Sequence, residues 1–322
     1  MSQDDVWARF PRGWFGIGFS NEFPKGEPKP IRYFSQDLVA YRDDHGQVQV
    51  LEAHCPHMGA HFGHGGKVSG SCIVCPFHAW KFGGDGQCVE IPYARKIPPR
   101  ARVKAWPIRE VNGAVLMWND PDGGAPDFEV PVLPEIGSAS WLPWATHRYH
   151  IKTHPREIVD NLADKAHFPA VHRTDIDEFG FDTDGVTATQ RVRGRAHFGD
   201  GKVDPFASTT TYHGPGVLLM RMDGLMQNRM MLLHTPVDAG TLDLRMGVTL
   251  KVVGDEKTTA GYVDMYMANL RAGFEDDIRI WEHKVWRHPP LLCEGDGPVG
   301  SLRKWYRQFY RPIGRPEGEA QS

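Results

Sequence analysis

Four side chains of metal-binding type lie in two short loops in the first third of the chain. Cys55 is followed two positions later by His57, and Cys75 is followed three positions later by His78. A proline comes directly after each cysteine, so the two loops have a similar form. Thiolates and imidazoles together are ligands for zinc or for an iron–sulfur cluster. The pattern C-x-H…C-x-x-H therefore predicts a site in which both loops hold one metal group.

Two kinds of metal group fit this ligand set. In a Rieske [2Fe–2S] centre two cysteines hold one iron and two histidines hold the other, and the two loops supply those four ligands. Zinc is the alternative, because Cys72 and Cys75 offer a Cys-x-x-Cys spacing that is common in zinc motifs. The zinc reading leaves Cys55 and His57 without a role, so we favour the Rieske centre. We expect the other three cysteines to be small buried hydrophobic residues.

A second group of candidate ligands lies near the middle of the chain. Asp160, Asp164 and His167 have the spacing i, i+4, i+7, which predicts one shared helix face. His172 comes five residues after His167, and on a straight helix the two side chains would point about 140° apart. Pro169 stands between them and is expected to end or kink the helix. The two imidazoles would then converge on one metal ion.

A carboxylate from another element is needed to complete that site. Two histidines and one carboxylate, with open positions, form the facial triad of non-haem Fe(II) oxygenases. The best helix candidate, residues 259–287, has an apolar face that includes Phe274. Asp277 lies about 60° from Phe274 around that helix, whereas Asp276 lies about 160° away. Because a carboxylate at a buried helix edge needs a partner, we predict Asp277 as the ligand, with Glu282 as the fallback.

Turns and strand-like runs divide the chain into two expected domains. Residues 12–120 contain short strand patterns separated by Gly- and Asp-rich turns, which predicts a small antiparallel all-β domain. Residues 121–145 begin with a run rich in Pro, Gly and Asp and are interpreted as a linker. Residues 146–313 are predicted to form the catalytic domain, and residues 314–322 a flexible tail.

The predicted catalytic domain mixes helices and strands. Residues 155–168 are predicted to form a helix, and residues 185–253 contain several alternating or apolar strand patterns. A methionine-rich group in those strands is a candidate lining for an apolar pocket, since methionine adapts to bulky rigid ligands. Ordinary core packing is the other interpretation of this group. The expected fold class is α+β. The methionines are Met220, Met222, Met226, Met230 and Met231.

Composition excludes several classes of partner. The 322 residues include 37 Lys and Arg against 40 Asp and Glu, for a net charge of −3. This balance does not favour nucleic acid or an anionic membrane as a partner. Apolar runs are far shorter than the roughly 20 residues of a membrane-spanning helix, so no membrane span is predicted. The acidic, polar N-terminus does not resemble a secretory signal, and we expect a cytoplasmic location.

Taken together, the motifs resemble the Rieske non-haem iron oxygenases, oxygenase (α) component. Within that family the likeness is to the 3-ketosteroid 9α-hydroxylase and cholesterol 7-desaturase group, and it covers most of the chain. It includes Cys55-Pro-His-Met-Gly59, Asp164-x-x-His167-Phe and Asp277-Ile-x-Ile-Trp281. The resemblance implies a Rieske [2Fe–2S] cluster and a mononuclear non-haem Fe(II). The implied cluster ligands are Cys55, His57, Cys75 and His78, and the implied iron ligands are His167, His172 and Asp277.

The resemblance also implies a fold, partners and further catalytic residues. The catalytic domain is expected to have a helix-grip fold, in which a curved antiparallel sheet wraps a long helix. Asn161 and Asp164 are implied as catalytic residues. Asp164 is expected to bridge the iron site to the cluster ligand His78 of a neighbouring subunit, in a head-to-tail homotrimer. A separate flavin- or ferredoxin-type reductase would supply electrons from a nicotinamide, and O2 would be the co-substrate.

The expected function is hydroxylation of a hydrophobic steroid or sterol-like ring by O2. A Rieske oxygenase that acts on an aromatic or alkyl substrate, as a dioxygenase, demethylase or desaturase, is the alternative with the same metal sites. Two readings from other classes stay open at this point. One is an electron-transfer ferredoxin with an appended binding domain, and the other is a zinc-binding interaction module.

Overall fold

The computed structural model divides the chain into two compact units. The smaller unit, Trp14–Pro126, is called the β unit below, and the larger one, Met1–Gly13 with Asp127–Ser322, is called the sheet unit. Met226 and the predicted tail lie outside the described residues. The structure describes residues 9–197, 201, 203–223 and 227–310.

The β unit consists of short antiparallel strands in three small sheets, with the strand orders β1-β10-β9, β2-β3-β4 and β5-β6-β7-β8. The strands are β1 (Gly13–Phe19), β2 (Lys29–Tyr33), β3 (Gln36–Arg42), β4 (Val48–Glu52), β5 (Lys67–Ser69), β6 (Cys72–Val74), β7 (Lys81–Phe82), β8 (Cys88–Glu90), β9 (Ile108–Val111) and β10 (Ala114–Asn119). Phe62, Ile73 and Phe82 are fully buried and pack in one cluster with Cys55 and Cys75. The all-β domain predicted from the turn spacing is confirmed, and its core is built around the two metal loops.

The sheet unit is organised by one seven-stranded antiparallel sheet of order β11-β17-β16-β15-β14-β13-β12. From β12 to β17 each strand pairs with the next one along the chain, and β11 joins the far edge beside β17. Five of these strands fall in the region 185–253, where the sequence predicted strands. The strands are β11 (Ala145–Ile151), β12 (Thr174–Asp184), β13 (Thr187–His197), β14 (Val203–His213), β15 (Val217–Asp223), β16 (Asn228–Pro236) and β17 (Leu242–Leu250).

A long helix packs against one face of this sheet, as the helix-grip expectation requires. The helix α3 (Glu256–Trp281) contacts β11 and β17. It begins where the side chain of Asp255 accepts a hydrogen bond from the backbone N–H of Thr258 at 2.8 Å. Among the described residues, no helix combines the length and the apolar character that crossing a bilayer requires. The other helices are α1 (Pro155–Asp160), α2 (His167–His172) and α4 (Val299–Arg307).

The prediction of a helix over residues 155–168 is wrong. The chain instead forms α1 and α2, with a break between Asp160 and His167. Asp160, Asp164 and His167 therefore do not share one helix face. Pro169 does not end or kink the helix between the two histidines either. It lies in the first turn of α2, where the N–H that proline lacks has no helical partner. The helix ends at His172, since Arg173 takes a left-handed conformation with φ 51°.

A buried ion pair ties α1 to α4. Arg303 donates to both carboxylate oxygens of Asp160, with Nη2 to Oδ2 at 2.6 Å and Nε to Oδ1 at 3.0 Å. Its guanidinium also lies 3.8 Å from the ring centre of Trp286 and donates to the carbonyl of Arg287 at 2.6 Å. The side chains of the pair are only 10% and 11% exposed, so solvent screens the pair weakly. The pair holds the segment that precedes the iron-ligand candidates.

We expect Arg303→Ala to lower the free energy of unfolding by about 3–5 kcal/mol, because it leaves the Asp160 carboxylate buried without its partner. Urea unfolding followed by tryptophan fluorescence measures the loss. Arg279→Ala is the control, since its ion pair with Asp276 is exposed and contributes about 0–1 kcal/mol. Equal losses in the two variants would show that the buried pair contributes no more to the free energy of unfolding than the exposed one.

Candidate metal centres

The two loops of the β unit have the same backbone geometry. In each loop the cysteine N–H donates to the carbonyl five residues later, at 2.9 Å for Cys55 and 2.8 Å for Cys75. The fourth residue after each cysteine has a positive φ, 76° at Gly59 and 57° at Ala79. Its N–H donates back to the cysteine carbonyl, at 2.9 Å and 3.1 Å respectively. Each loop thus closes on its own cysteine and presents the histidine inside the turn.

These loops bring the four predicted cluster ligands together. Cys55 and Cys75 are 2% and 3% exposed, and their side chains interact with each other. The rings of His57 and His78 have centroids 4.6 Å apart at an angle of 73°. The Nδ1 atoms of both rings are buried and have no hydrogen-bond partner among the described residues. The structure therefore places two buried thiols beside each other and two imidazoles with unpaired nitrogens beside each other.

This arrangement fits a [2Fe–2S] cluster. A buried nitrogen without a hydrogen bond is costly unless something binds it, and both His57 and His78 present one. Burial raises the pKa of the Cys55 thiol to about 12, so a thiolate at this position requires a bound cation. The zinc reading fits less well, because Cys72 is only half-buried and its sulfur lies 3.8 Å from the hydroxyl of Ser71.

The remaining cysteines differ in environment from what the sequence predicted. Cys88 is buried, in agreement with its assignment as a small hydrophobic residue. That assignment is wrong for Cys72, which is half-buried, and for Cys293, which is exposed. Cys293 lies in a turn where its N–H donates to the carboxylate of Asp296 at 2.6 Å.

We expect Cys55→Ser to abolish the visible absorption of the cluster and to remove both cluster irons, because a serine oxygen does not replace a thiolate in this ligand set. Cys88→Ser is the matched control, since Cys88 is also a buried thiol of the β unit. Iron analysis and the visible spectrum distinguish the two variants. Loss of the cluster from both of them would contradict the ligand assignment.

In the sheet unit, three predicted iron ligands converge. His167, His172 and Asp277 each place one ligand atom within 4.8 Å of the others, although α3 carries Asp277 and α2 carries both histidines. His172 Nε2 lies 3.3 Å from Asp277 Oδ2, and the two imidazole rings have centroids 5.1 Å apart. Asp277 is 7% exposed, so its carboxylate needs a cationic partner. A divalent cation between these three groups meets that need and matches the two-histidine, one-carboxylate set.

The orientation of His167 is fixed by a hydrogen bond at its other nitrogen. Its Nδ1 lies 2.6 Å from the backbone carbonyl of Asp164, so Nδ1–H donates there and Nε2 is left as the ligand atom. The carboxylate of Asp164 accepts from the backbone N–H of His167 at 3.2 Å. Burial alone would raise the pKa of Asp164, but the interactions with His167 outweigh burial and hold that pKa below its ordinary value. Asp164 is therefore a carboxylate that lies directly beside an iron-ligand candidate.

Asn161, the other predicted catalytic residue, contacts the end of α3. Its Oδ1 accepts a hydrogen bond from Trp281 Nε1 at 3.3 Å, one turn beyond Asp277. The carbonyl of Trp281 accepts from the hydroxyl of Thr153 at 3.1 Å. These two bonds fix the last turn of α3 against the segment around α1. The structure thus gives Asn161 a contact that positions the carboxylate-bearing helix.

The carboxylates that the sequence left as alternatives are engaged elsewhere. Glu282, the fallback ligand, accepts from the backbone N–H of Lys152 at 3.0 Å. Asp276 is exposed and pairs with Arg279. Neither belongs to the group that converges with the two histidines.

Sequence reasoning did not find the segment that holds the loop between α1 and α2. Lys165 N–H donates to the carbonyl of Asp296 at 3.1 Å. Gly297 has φ 91°, and a Cβ atom there would lie 2.1 Å from the carbonyl oxygen of Ala163. Only glycine fits this close approach, so the Asp296-Gly297 pair fixes the backbone beside Asp164. Sequence patterns do not reveal the role of this pair, because that role depends on contacts distant in sequence.

Comparisons with known proteins identify a family for each of the two parts of the chain. Residues 13–107 match the family model described as Rieske [2Fe-2S] domain, and residues 117–310 match 3-Ketosteroid 9alpha-hydroxylase C-terminal domain. A 3-ketosteroid-9-alpha-monooxygenase oxygenase component of Rhodococcus rhodochrous is 38% identical over 94% of this chain and 82% of its own length. Cholesterol 7-desaturase nvd 1 of Ciona intestinalis is 29% identical over 95% of this chain and 70% of its own length.

A solved structure supports the fold. Dicamba monooxygenase bound to dicamba superposes with a TM-score of 0.77 and 18% identity, over 92% of this chain and 96% of that chain. The family match covers more than half of the chain, and several relatives exceed 30% identity over nearly all of it. The chain therefore belongs to the 3-ketosteroid 9α-hydroxylase oxygenase-component family, Rieske oxygenases that use O2 and that carry a [2Fe–2S] cluster and a mononuclear iron.

Proposed function

We propose that this protein is the terminal oxygenase of a steroid monooxygenase, and that it hydroxylates a steroid or sterol-like ring. The observation that carries the proposal is the convergence of His167, His172 and Asp277 beside the apolar face of α3 in a chain that also holds a Rieske ligand set. The relatives named for action on 3-ketosteroids support the choice of substrate class. The proposed reaction consumes O2, two electrons and two protons, and yields one C–OH group and water.

The metal groups supply the oxygen chemistry when they are bound, and the protein supplies position and environment. His167, His172 and Asp277 would hold the mononuclear iron, and Cys55, His57, Cys75 and His78 would hold the cluster. A set of two histidines and one carboxylate would leave a bound iron free to react with O2 next to the substrate. The hydrogen bond to Asp164 keeps His167 in the ligand tautomer, and the Asn161–Trp281 bond keeps the last turn of α3 in place.

The interface between α3 and the sheet is apolar, which suits a hydrophobic substrate. The side chains that α3 directs at the sheet core are only partly buried, and Met222 on the sheet side is partly buried as well. The methionines predicted to line a pocket lie on two different faces of the sheet, because neighbouring residues of a strand point to opposite faces. Met220, Met222 and Met230 belong to this helix-facing side, whereas Met231 faces the opposite side of β16. The helix residues are Tyr266, Met267, Leu270, Phe274 and Ile278.

A polar pair, Asn228 and Tyr266, lies within this apolar interface. Asn228 Nδ2 donates to the hydroxyl of Tyr266 at 3.1 Å, and Tyr266 lies 3.5 Å from the sulfur of Met222. Asn228 is 2% exposed, and its Oδ1 has no hydrogen-bond partner among the described residues. A mostly apolar surface with a few fixed polar groups is the lining expected for a ring system that carries one or two oxygens. This supports a steroid over a charged or strongly polar substrate.

Partners and assembly form part of the same proposal. A separate flavin- or ferredoxin-type reductase would draw electrons from NAD(P)H, and a cytoplasmic location would give access to that nicotinamide. A head-to-tail homotrimer would let Asp164 of one subunit meet the cluster ligand His78 of the next. We retain residues 12–120 and 146–313 as the two domains, with a linker at 121–145. The division of the chain after Pro126 supports a linker in that range.

A single-turnover experiment tests the function. The protein is purified without oxygen, checked for two cluster irons plus one more, and reduced with 5-deazaflavin and light. It is then mixed with O2 and a panel of 3-ketosteroids and sterols. We expect a product one oxygen heavier by mass spectrometry. A protein with all three irons that leaves the whole panel unchanged would contradict the steroid proposal, and aromatic and alkyl substrates would then test the alternative.

A further inference from the structure

A strongly basic segment follows the last strand next to the cluster loops. Residues 95–104 contain five lysines and arginines and no acidic residue, in a chain whose net charge is −3. All five side chains are exposed, and no carboxylate among the described residues forms an ion pair with them. They are Arg95, Lys96, Arg100, Arg102 and Lys104. The segment thus concentrates positive charge on one part of the β unit.

Backbone hydrogen bonds hold the second half of this segment against the core of the cluster site. Cys88 N–H donates to the carbonyl of Ala101 at 3.0 Å, and Val103 N–H donates to that of Gly86 at 2.9 Å. Ala101 and Val103 are buried in the same apolar cluster as Cys55. Because alternate residues of an extended chain face opposite ways, burying these two directs the neighbouring cations outward. The cations beside Ala101 and Val103 are therefore presented on a hydrogen-bonded framework.

A chain of aromatic contacts connects this surface to one cluster ligand. Tyr93, two residues before the first cation, is 62% exposed. Its hydroxyl accepts a hydrogen bond from Trp80 Nε1 at 2.7 Å. The ring of Trp80 stacks on that of His57 with centroids 4.6 Å apart and an angle of 11°. Electron transfer slows steeply with distance, so a contiguous route from the surface to a ligand ring favours this side as an entrance.

We propose that the basic segment and Tyr93 form the docking surface for an acidic one-electron carrier protein, which reduces the cluster through Trp80 and His57. The inference rests on the proposed function, because it specifies the surface that the reductase component uses. In each transfer one electron leaves the reduced centre of the carrier and one enters the cluster. No bond or proton is transferred in that step, and two such transfers supply one turnover.

Charge and surface composition support this occupant. Electrostatic steering by a single-sign patch accelerates the encounter with a partner of opposite charge and leaves the complex dissociable in salt. Exposed apolar side chains at Tyr93 and Ile97 lie beside or within the basic segment, and such a mixture is typical of an interface centre with a polar rim. A neighbouring subunit is expected to contact the other cluster histidine, His78, which leaves the His57 side for the donor.

Stopped-flow kinetics test the proposal. The holoenzyme is mixed with a photoreduced acidic plant-type [2Fe–2S] ferredoxin, whose reduction potential lies below that of Rieske centres, and reduction of the cluster is followed. The test variant is Arg95→Glu/Arg100→Glu/Arg102→Glu. The control is Lys25→Glu/Lys251→Glu/Lys257→Glu, which reverses three exposed charges elsewhere. At low ionic strength we expect the bimolecular rate constant to fall at least tenfold in the test variant and less than threefold in the control. High salt should remove the difference.

Tyr93 variants test the route separately from the docking. Tyr93→Leu should lower the limiting rate at saturating ferredoxin, with an unchanged cluster reduction potential. Tyr93→Phe keeps the ring, so its limiting rate should fall less than that of Tyr93→Leu.

Equal rates in the two charge variants, or a wild-type cluster that the ferredoxin does not reduce, would overturn the proposal. So would a change in subunit assembly on charge reversal, since that would make a second copy the occupant. Hydroxylation after reduction by 5-deazaflavin and light bypasses this surface, so its failure would instead contradict the proposed function.

Discussion

Asp277→Ala is expected to lose the mononuclear iron and at least a thousandfold in turnover, while both cluster irons stay bound. The side chain is buried, lies 3.3 Å from His172 Nε2, and belongs to the group of three converging ligand atoms. Removing it leaves two imidazoles, which bind a divalent cation far more weakly than a set that includes a carboxylate. Iron analysis should therefore fall from three irons per chain toward two, with the visible spectrum of the cluster intact.

Asp276→Ala is the matched control for this experiment. It removes the same carboxylate from the adjacent residue of the same helix, but that carboxylate is exposed and pairs only with Arg279 among the described residues. It should keep three irons and nearly full turnover. If Asp277→Ala retained both the third iron and activity, or if the two variants behaved alike, the ligand assignment would be wrong.

Asp164→Asn is expected to reduce turnover at least a hundredfold and to leave all three irons in place. The amide oxygen can still accept the backbone N–H of His167, and the bond from His167 Nδ1 goes to the backbone carbonyl, so the ligand geometry should survive. What disappears is the negative charge beside His167. If Asp164 bridges to the cluster histidine of the next subunit, losing the charge weakens that contact between the two metal sites.

Two measurements separate this effect from a structural one. The cluster of Asp164→Asn should still be reduced at the wild-type rate by 5-deazaflavin and light, whereas oxidation of the reduced cluster by O2 with substrate present should become slow. Asp160→Asn is the contrasting variant, since Asp160 pairs with Arg303. It should lower the free energy of unfolding and leave the rate of cluster oxidation close to that of the wild type. Fast cluster oxidation in Asp164→Asn would exclude a bridging role.

The sequence by itself determined the identity of the chemistry. Ligand type and spacing predicted Cys55, His57, Cys75 and His78 as cluster ligands, because each pair lies within one tight loop and needs no distant contact to form. Helix periodicity was sufficient to prefer Asp277 over Asp276, because burial follows the helical angle once the apolar face is known. Alternating strand patterns also indicated the large antiparallel sheet, since one face of each strand must pack against the core.

Only the tertiary structure decided how the sites are held. The helix break between Asp160 and His167 was not predicted, because its causes are contacts from about 130 residues further along the chain. Asp296 accepts from Lys165, and Gly297 approaches Ala163 too closely for any side chain. Local propensity contains no information about such partners, and it favoured one continuous helix. The same reason applies to Asn161, whose bond to Trp281 exists only after α3 packs against the sheet. Spacing in sequence predicted the ligands, whereas packing between distant segments determines their geometry.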